Sequence, residues 1–295
     1  MTAPIEITPV SLQQSPLPPV DSGDDKNSRG LALVIGGSMQ VAGAALLAGM
    51  GVLRAGAGKL RFAVPEAYAV ALAFQAPEAR VIGAVAGERG EISVAAVAGL
   101  EPFIEGADAV VLGPGMLEEG DAGRLAEAMM RCAGKPAFLI DAAAMTGLTH
   151  VENAAGLCGG RAVLTPHAGE MAKLMDMSEE AVEHDPVGVA LAAAQRFDAT
   201  VVLKGRQTHV ATPDGPVWRN SGGVRGLGVC GSGDVLAGVI GGLLARGASP
   251  STAAIWGVYA HAQAGARLAS QIAPQGFLAR EILDGVAQEL AAAAS

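Results

Sequence analysis

Short apolar runs recur along the chain: Ala32–Ile35, Leu60–Val64, Ala109–Leu112, Ala137–Ile140, Ala162–Leu164 and Thr200–Leu203. They lack the in–out alternation of a half-exposed strand and read as strands covered on both faces. Ala-rich segments at 42–54, 120–133, 178–196, 233–246 and 251–270 separate or follow them and read as helices. The alternation predicts an α/β fold with a mostly parallel central sheet and helices on both faces. No linker or repeat interrupts 30–290, so one domain over 30–295 is expected. Residues 1–29 carry Pro16, Pro18 and Pro19, then Asp21, Asp24, Asp25 and Lys26. They read as a mobile N-terminal extension.

The stretch Gly30–Leu53 is uncharged and long enough to cross a bilayer. Gly36-Gly37-Ser38-Met39-Gln40 divides it into strand, loop and helix, so no membrane span is expected. The N-terminus also lacks the basic start and apolar core of a signal peptide. Of the 295 residues, 51% are hydrophobic and 17% charged, which excludes a disordered chain. A net charge of -9 and an aromatic content of 3% argue against nucleic-acid binding. Cys132, Cys158 and Cys230 are widely spaced, which favours a reducing cytoplasm over a disulfide or zinc framework.

Candidate chemistry gathers where strands end. Leu112 leads into Gly113-Pro114-Gly115, Ile140 into Asp141, Leu164 into Thr165-Pro166-His167, and Leu203 into Lys204-Gly205. Ligands of open parallel sheets bind beyond the carboxyl ends of the strands, so these exits line one expected cleft. Gly231-Ser232-Gly233-Asp234 opens an apolar helix whose Val235, Leu236, Val239, Ile240, Leu243 and Leu244 form a buried face. A Gly-rich helix start offers free N–H groups and a positive dipole end to a phosphate. Asp234, in the first turn, could serve as a base toward a substrate hydroxyl. Alternatively, Ser232 or Asp234 only caps the helix. Two look-alikes fail. Ala57-Gly58-Lys59-Leu60 lacks the Ser/Thr and first Gly of a P-loop, and Gly36-Gly37-Ser38 does not continue as a dinucleotide fingerprint.

Taken together, these motifs resemble the ADP-dependent NAD(P)H-hydrate dehydratases, a branch of the ribokinase-like superfamily. The resemblance runs through Gly36-Gly37-Ser38, Gly43–Ala48, Leu53–Gly58, Gly113–Gly115 and Leu139–Ala142. It continues through Leu164-Thr165-Pro166-His167-Ala168-Gly169-Glu170, Val202–Thr208, Gly231–Gly238 and the helix Val258–His261 with Gly265. Thr165–Glu170 is its most telling piece. It implies a ribokinase-like fold and repair of hydrated NADH or NADPH (NADHX, NADPHX). The hydrate's hydroxyl is phosphorylated by ADP and phosphate is eliminated, with Mg2+ neutralising the diphosphate. Ala44, Gly115, His167 and Asp234 match positions that contact the hydrate. Lys204, Gly205, Arg206, Gln207, Thr208 and Gly233 match positions around AMP or ADP. Asp234 with Gly231, Ser232 and Gly233 would carry the catalysis. A homotetramer and a separate epimerase are further implications.

Bland readings stand beside these. His167 could be a helix cap, Lys204 a surface lysine, Asp141 a turn cap, and His261, Trp256 and Tyr259 packing residues. One stretch departs from the family's pattern: 222–231 reads Gly-Gly-Val-Arg-Gly-Leu-Gly-Val-Cys-Gly. It lacks the usual Thr and Asn and brings in Arg225 and Cys230. A small-molecule kinase acting on a vitamin-like alcohol would share the Gly231–Asp234 loop, and a non-catalytic nucleotide-binding protein is the third reading.

Overall fold

A computed structural model describes residues 3–19, 25–132, 134 and 136–294. The chain begins with β1 (Ile5–Glu6), α1 (Pro9–Leu12), β2 (Leu31–Ile35), α2 (Gly43–Arg54), β3 (Lys59–Pro65), α3 (Glu66–Gln75) and β4 (Arg80–Ala84). Next come α4 (Val97–Glu105), β5 (Ala109–Leu112), α5 (Glu119–Cys132), β6 (Ala137–Ile140) and α6 (Ala142–Thr146). These lead to β7 (Ala162–Leu164), α7 (Ala168–Met175), α8 (Glu179–His184), α9 (Pro186–Phe197) and β8 (Thr200–Leu203). The chain closes with β9 (Thr208–Ala211), β10 (Trp218–Asn220), α10 (Ser232–Ala245), α11 (Pro250–Gln271) and α12 (Ala279–Ala294).

All the strands join one sheet, ordered β1-β10-β9-β8-β7-β6-β5-β2-β3-β4. Pairing is parallel from β8 to β4 and antiparallel only across β8–β9 and β9–β10; β1 lies parallel to β10. Two cores flank the sheet. Val34, Val111 and Val202 point to the side covered by α2, α10, α11 and α12. Leu33, Val110 and Val201 point to the side covered by α4 to α9. This explains the continuous apolar runs, since both faces of each inner strand are dry.

Each of the six runs becomes an inner strand. The segment expected as one helix over 178–196 divides into α8 and α9. There Asp185 accepts a hydrogen bond from the Gly188 N–H, and Pro186 starts a new helix. Residue 133, the end of another expected helix, lies outside the described residues. The segment Gly30–Leu53 divides as expected into β2, loop and α2, and α2 packs in the core against α10. Among the described residues no helix is long and apolar enough to cross a membrane.

The expected mobile extension needs correction over 3–19. Ile5 and Glu6 pair with Trp218 and Arg219, and Ile7 and Leu12 are buried in the core. Thr8 and Ser11 close a capping box around α1. The Ser15 carbonyl accepts a 2.7 Å hydrogen bond from Trp256 Nε1. Proline content suggested a loose tail, but these few apolar side chains are buried where the segment meets the sheet edge and α12. Asp21 and Asp24 lie outside the described residues.

Candidate active site

The sheet order reverses between β2 and β5. From β2 the chain winds outward through β3 and β4, then returns to β5 and winds the other way. Loops leaving these neighbours diverge and open a crevice. Here the Gly37 N–H donates to the Pro114 carbonyl at 2.7 Å. Gly115 has φ +76, and a Cβ at this position would lie 2.9 Å from the Ala44 Cβ and 2.6 Å from the Val41 carbonyl oxygen. Only glycine permits this approach. Ala44 and Gly115, expected to meet the hydrate, therefore stand together at the switch point. The Tyr68 hydroxyl donates to the Gly36 carbonyl at 3.5 Å, and burial pushes its phenol up to about 12.

The exits of β6, β7 and β8 bring charges together. Asp141 is buried, and its Oδ1 accepts from Thr165 Oγ1 at 2.7 Å and from Lys204 Nζ at 3.2 Å. Glu170 Oε2 lies 3.7 Å from Lys204 Nζ and accepts from the His167 N–H at 2.8 Å. Burial alone would lower the Lys204 pKa, but Asp141, Glu170 and Asp234 together raise it, so the ammonium stays charged. Lys204 is not a surface lysine: its side chain is 20% exposed. His167 does cap its helix. Its Nδ1 accepts from the N–H groups of Gly169 and Glu170, while the side chain as a whole is 58% exposed and lines the adjoining cavity. Its Nε2 lies 3.6 Å from Glu170 Oε1, so the capping reading of His167 holds, and the expected binding role remains an expectation.

Gly231 is the N-cap of α10, in a left-handed conformation with φ +90, and no side chain caps this helix end. The capping alternative for Ser232 and Asp234 therefore does not hold; the Ser232 N–H donates to the Val229 carbonyl at 3.1 Å, which leaves the Gly233 and Asp234 N–H groups at the helix start for an anion. Ser232 is held from below. His261 Nε2 lies 3.1 Å from both the Ser232 carbonyl oxygen and its Oγ. Since a carbonyl only accepts, that nitrogen carries the proton. Burial pushes the His261 imidazole down to about 4, so it is neutral. His261 is thus more than a packing residue. Asp234 sits beside this loop, and its carboxyl is pushed up to about 7, by burial first and by Asp141 second, against the pull of Lys204.

A cavity of about 690 Å3 opens on this loop. His167, Lys204, Gly205, Arg206, Thr208, Ser232, Gly233 and His261 line it, with Arg225, Leu227, Leu236 and Val258 adding to its wall. A Cβ built on Gly233 would lie 3.6 Å from Lys204 Nζ, so the lysine reaches the helix start. The structure thus gathers all but one of the expected nucleotide residues. Gln207 lies on the far side of the 204–208 turn, lining a separate cavity of about 520 Å3. The departing 222–230 loop forms part of the first cavity's wall, with a helical turn at Arg225–Leu227. Among the described residues no group of three or more His, Cys, Asp or Glu side chains could hold a metal ion. Sequence reading did not assign Glu170 and His261 these contacts. Glu170 was visible only as the end of a motif, and His261 as one polar residue within an apolar helix.

The sequence matches the NAD(P)H-hydrate dehydratase family over residues 32–288. It is 44% identical to the ADP-dependent (S)-NAD(P)H-hydrate dehydratase of Xanthomonas campestris pv. campestris, across 94% of this chain and 92% of that protein. Among solved structures, the ADP/ATP-dependent NAD(P)H-hydrate dehydratase of Bacillus subtilis, co-crystallised with ATP/Mg2+, superposes with a TM-score of 0.82 at 26% identity, covering 99% of both chains. A ribokinase-like superfamily protein of Enterococcus faecalis shares the fold at a TM-score of 0.81 and 24% identity, covering 98% of this chain and 96% of that one. With its glycine-lined switch point and glycine-rich start of α10 on a ribokinase-like sheet, the chain belongs to the NAD(P)H-hydrate dehydratase family.

Proposed function

We propose that this chain catalyses the ADP-dependent dehydration of the (S) form of hydrated NADH or NADPH, releasing NAD(P)H, AMP and phosphate. The observation that carries this reading is Asp234. A carboxyl pushed up to about 7 stands at an uncapped helix start beside a charged lysine. A base works best when its pKa lies near the working pH. Asp234 takes the proton of the hydrate's hydroxyl as the oxygen bonds to the β-phosphorus of ADP and AMP leaves. The N–H groups of Gly231 and Gly233 and the ammonium of Lys204 hold the transferring phosphoryl's charge. Phosphate then departs from carbon with its bonding electrons, and the loss of a neighbouring proton leaves the double bond of NAD(P)H. Hydroxide is a poor leaving group and phosphate a good one, which is the chemical purpose of the first step.

Ala44, Gly115 and His167 receive the hydrate in this reading, and Lys204–Thr208 with Gly233 receive the nucleotide. Gln207 acts from the far side of its turn. Mg2+ would be held mainly by the nucleotide's diphosphate and water, which supply most of such an ion's ligands. When bound it would neutralise diphosphate charge, with Asp234 and Asp141 the carboxylates that would face it. The unit, residues 30–295 together with the N-terminal segment that joins the sheet, works as a homotetramer in the cytoplasm, with a separate epimerase converting the other hydrate epimer. The likeness at 44% identity favours dehydration over phosphorylation of a vitamin-like alcohol or non-catalytic binding.

The test is incubation with hydrated NADH, Mg2+ and ADP or ATP. The absorbance of NADH returns, with one AMP and one phosphate formed per NADH when ADP is the donor. ADP binding without any return of NADH overturns the reading.

A further inference from the structure

Glu91 is a carboxylate with no place in the chemistry above, yet it is buried, with 7% of its surface exposed. It belongs to a tight turn after β4 in which the Gly87 N–H donates to the Glu91 carbonyl at 2.8 Å and the Ser93 N–H donates to the Val85 carbonyl at 3.1 Å. Its side chain reaches away from this turn. Oε1 accepts from the Leu117 N–H at 2.9 Å and Oε2 from the Glu118 N–H at 3.4 Å. Those amides end the loop that leaves β5, two and three residues beyond Gly115. Its backbone forms an antiparallel bridge with Ser38, immediately after Gly36-Gly37. Arg89, in the same turn, adds an ion pair to Glu118. One residue therefore ties the exit of β2 to the exit of β5, and these are the two loops whose separation defines the Ala44–Gly115 corner.

A buried carboxylate is costly unless its oxygens are satisfied, and hydrogen bonds to a charged acceptor are among the stronger ones. Glycine loops have little stiffness of their own. A charged clamp from a third segment supplies it where a ligand must fit closely. We propose that Glu91 is a positioning residue, holding the β2 and β5 exit loops at the spacing that receives the hydrated nicotinamide end of the substrate. The inference rests on the reading of that corner as the hydrate's place. It assigns Glu91 no part in nucleotide binding, because the nucleotide cavity is lined from the opposite end of the strand exits.

The test uses Glu91→Gln and Glu91→Ala in the full chain. Glutamine keeps the size and one acceptor but sets an amide NH2 against one of the two N–H groups. The expected result is a Michaelis constant for hydrated NADH raised about tenfold in Glu91→Gln, and more in Glu91→Ala. Affinity for NADH, read by its fluorescence, falls in parallel. ADP affinity by calorimetry and the Tm of the Gln variant stay near wild type. Unchanged NADH affinity and hydrate Michaelis constant overturn the proposal. So does an equal loss for ADP and hydrate together with a large drop in Tm, which would mark general loosening. If the wild-type chain binds NADH but never converts the hydrate, the proposed reaction fails. A selective loss of NADH affinity in Glu91→Gln then still supports the positioning role.

Discussion

Asp234 concentrates the physics of the site in one side chain. Its carboxyl, ordinarily at 3.8, is pushed up to about 7 because burial and the nearby Asp141 both oppose its charge. The base must be ionised to act, so kcat/KM rises with pH along a limb centred near 7. Asp234→Asn loses that limb and roughly two or more orders of magnitude in turnover, while ADP affinity changes little. The stability sign is opposite. A folded pKa above the unfolded one means that the stability contribution is full below about pH 4 and is lost as pH rises through 7. Melting curves should therefore place Asp234→Asn above wild type at pH 8 and level with it at pH 4. Turnover near wild type in this variant removes Asp234 from the mechanism. Lys204 answers to a different measurement. Lys204→Ala removes a charge-assisted phosphate contact and weakens ADP binding by about tenfold or more in calorimetry. It also lowers Tm, because Asp141 and Glu170 lose their shared cation. Unchanged ADP affinity limits the lysine to that structural pairing.

At the scale of elements, α10 and the segment leading into it decide what the cavity accepts. The helix starts on a glycine whose left-handed φ of +90 a side chain would strain, and a Cβ there would also push Leu47 Cδ1, 2.6 Å away, aside. Ahead of it, Arg225 stands in a helical turn that forms part of the cavity wall. The segment lacks the polar residues usual in the family's pattern, and Arg225 is the charged side chain available to replace them. Arg225→Ala should raise the Michaelis constant for the nucleotide several-fold and leave that for the hydrate unchanged. Steady-state kinetics identical to wild type would show that the guanidinium stays in solvent.

At the scale of the molecule, the sheet extends beyond its parallel core past β8, through β9 and β10 to β1, and the N-terminal segment is part of it. Leu12 is fully buried, and the segment carrying it is anchored through Ser15 to Trp256 on α11. Leu12→Ala should cost about 2–5 kcal/mol in denaturant unfolding, as a core Leu does. A cost below about 0.5 kcal/mol would mean that this segment adds nothing to the fold. Nucleotide affinity of the folded variant should match wild type, since α1 lies away from the cavity.

The primary structure determined the parallel core of this protein and the chemistry at its strand exits. The inner strands are apolar on both faces, so runs such as Ala109–Leu112 and Ala137–Ile140 announce themselves, and Gly231–Asp234 is contiguous before an apolar helix. Strands outside this dry core were not legible for the same reason. β4 is half exposed, and β9 and β10 carry His209 and Arg219, so no unbroken apolar run marks them. Only the tertiary structure decided which exits become neighbours. Asp141, Thr165, Glu170 and Lys204 lie on three successive exits and meet because β6, β7 and β8 are adjacent in the sheet. The 3.8 to 7 displacement of Asp234 has the same origin, since burial and field are properties of the assembled surroundings. Glu91 is the clearest case. In sequence it is one acidic residue in a turn, and its two backbone partners are brought to it only when the chain returns to form β5 beside β2.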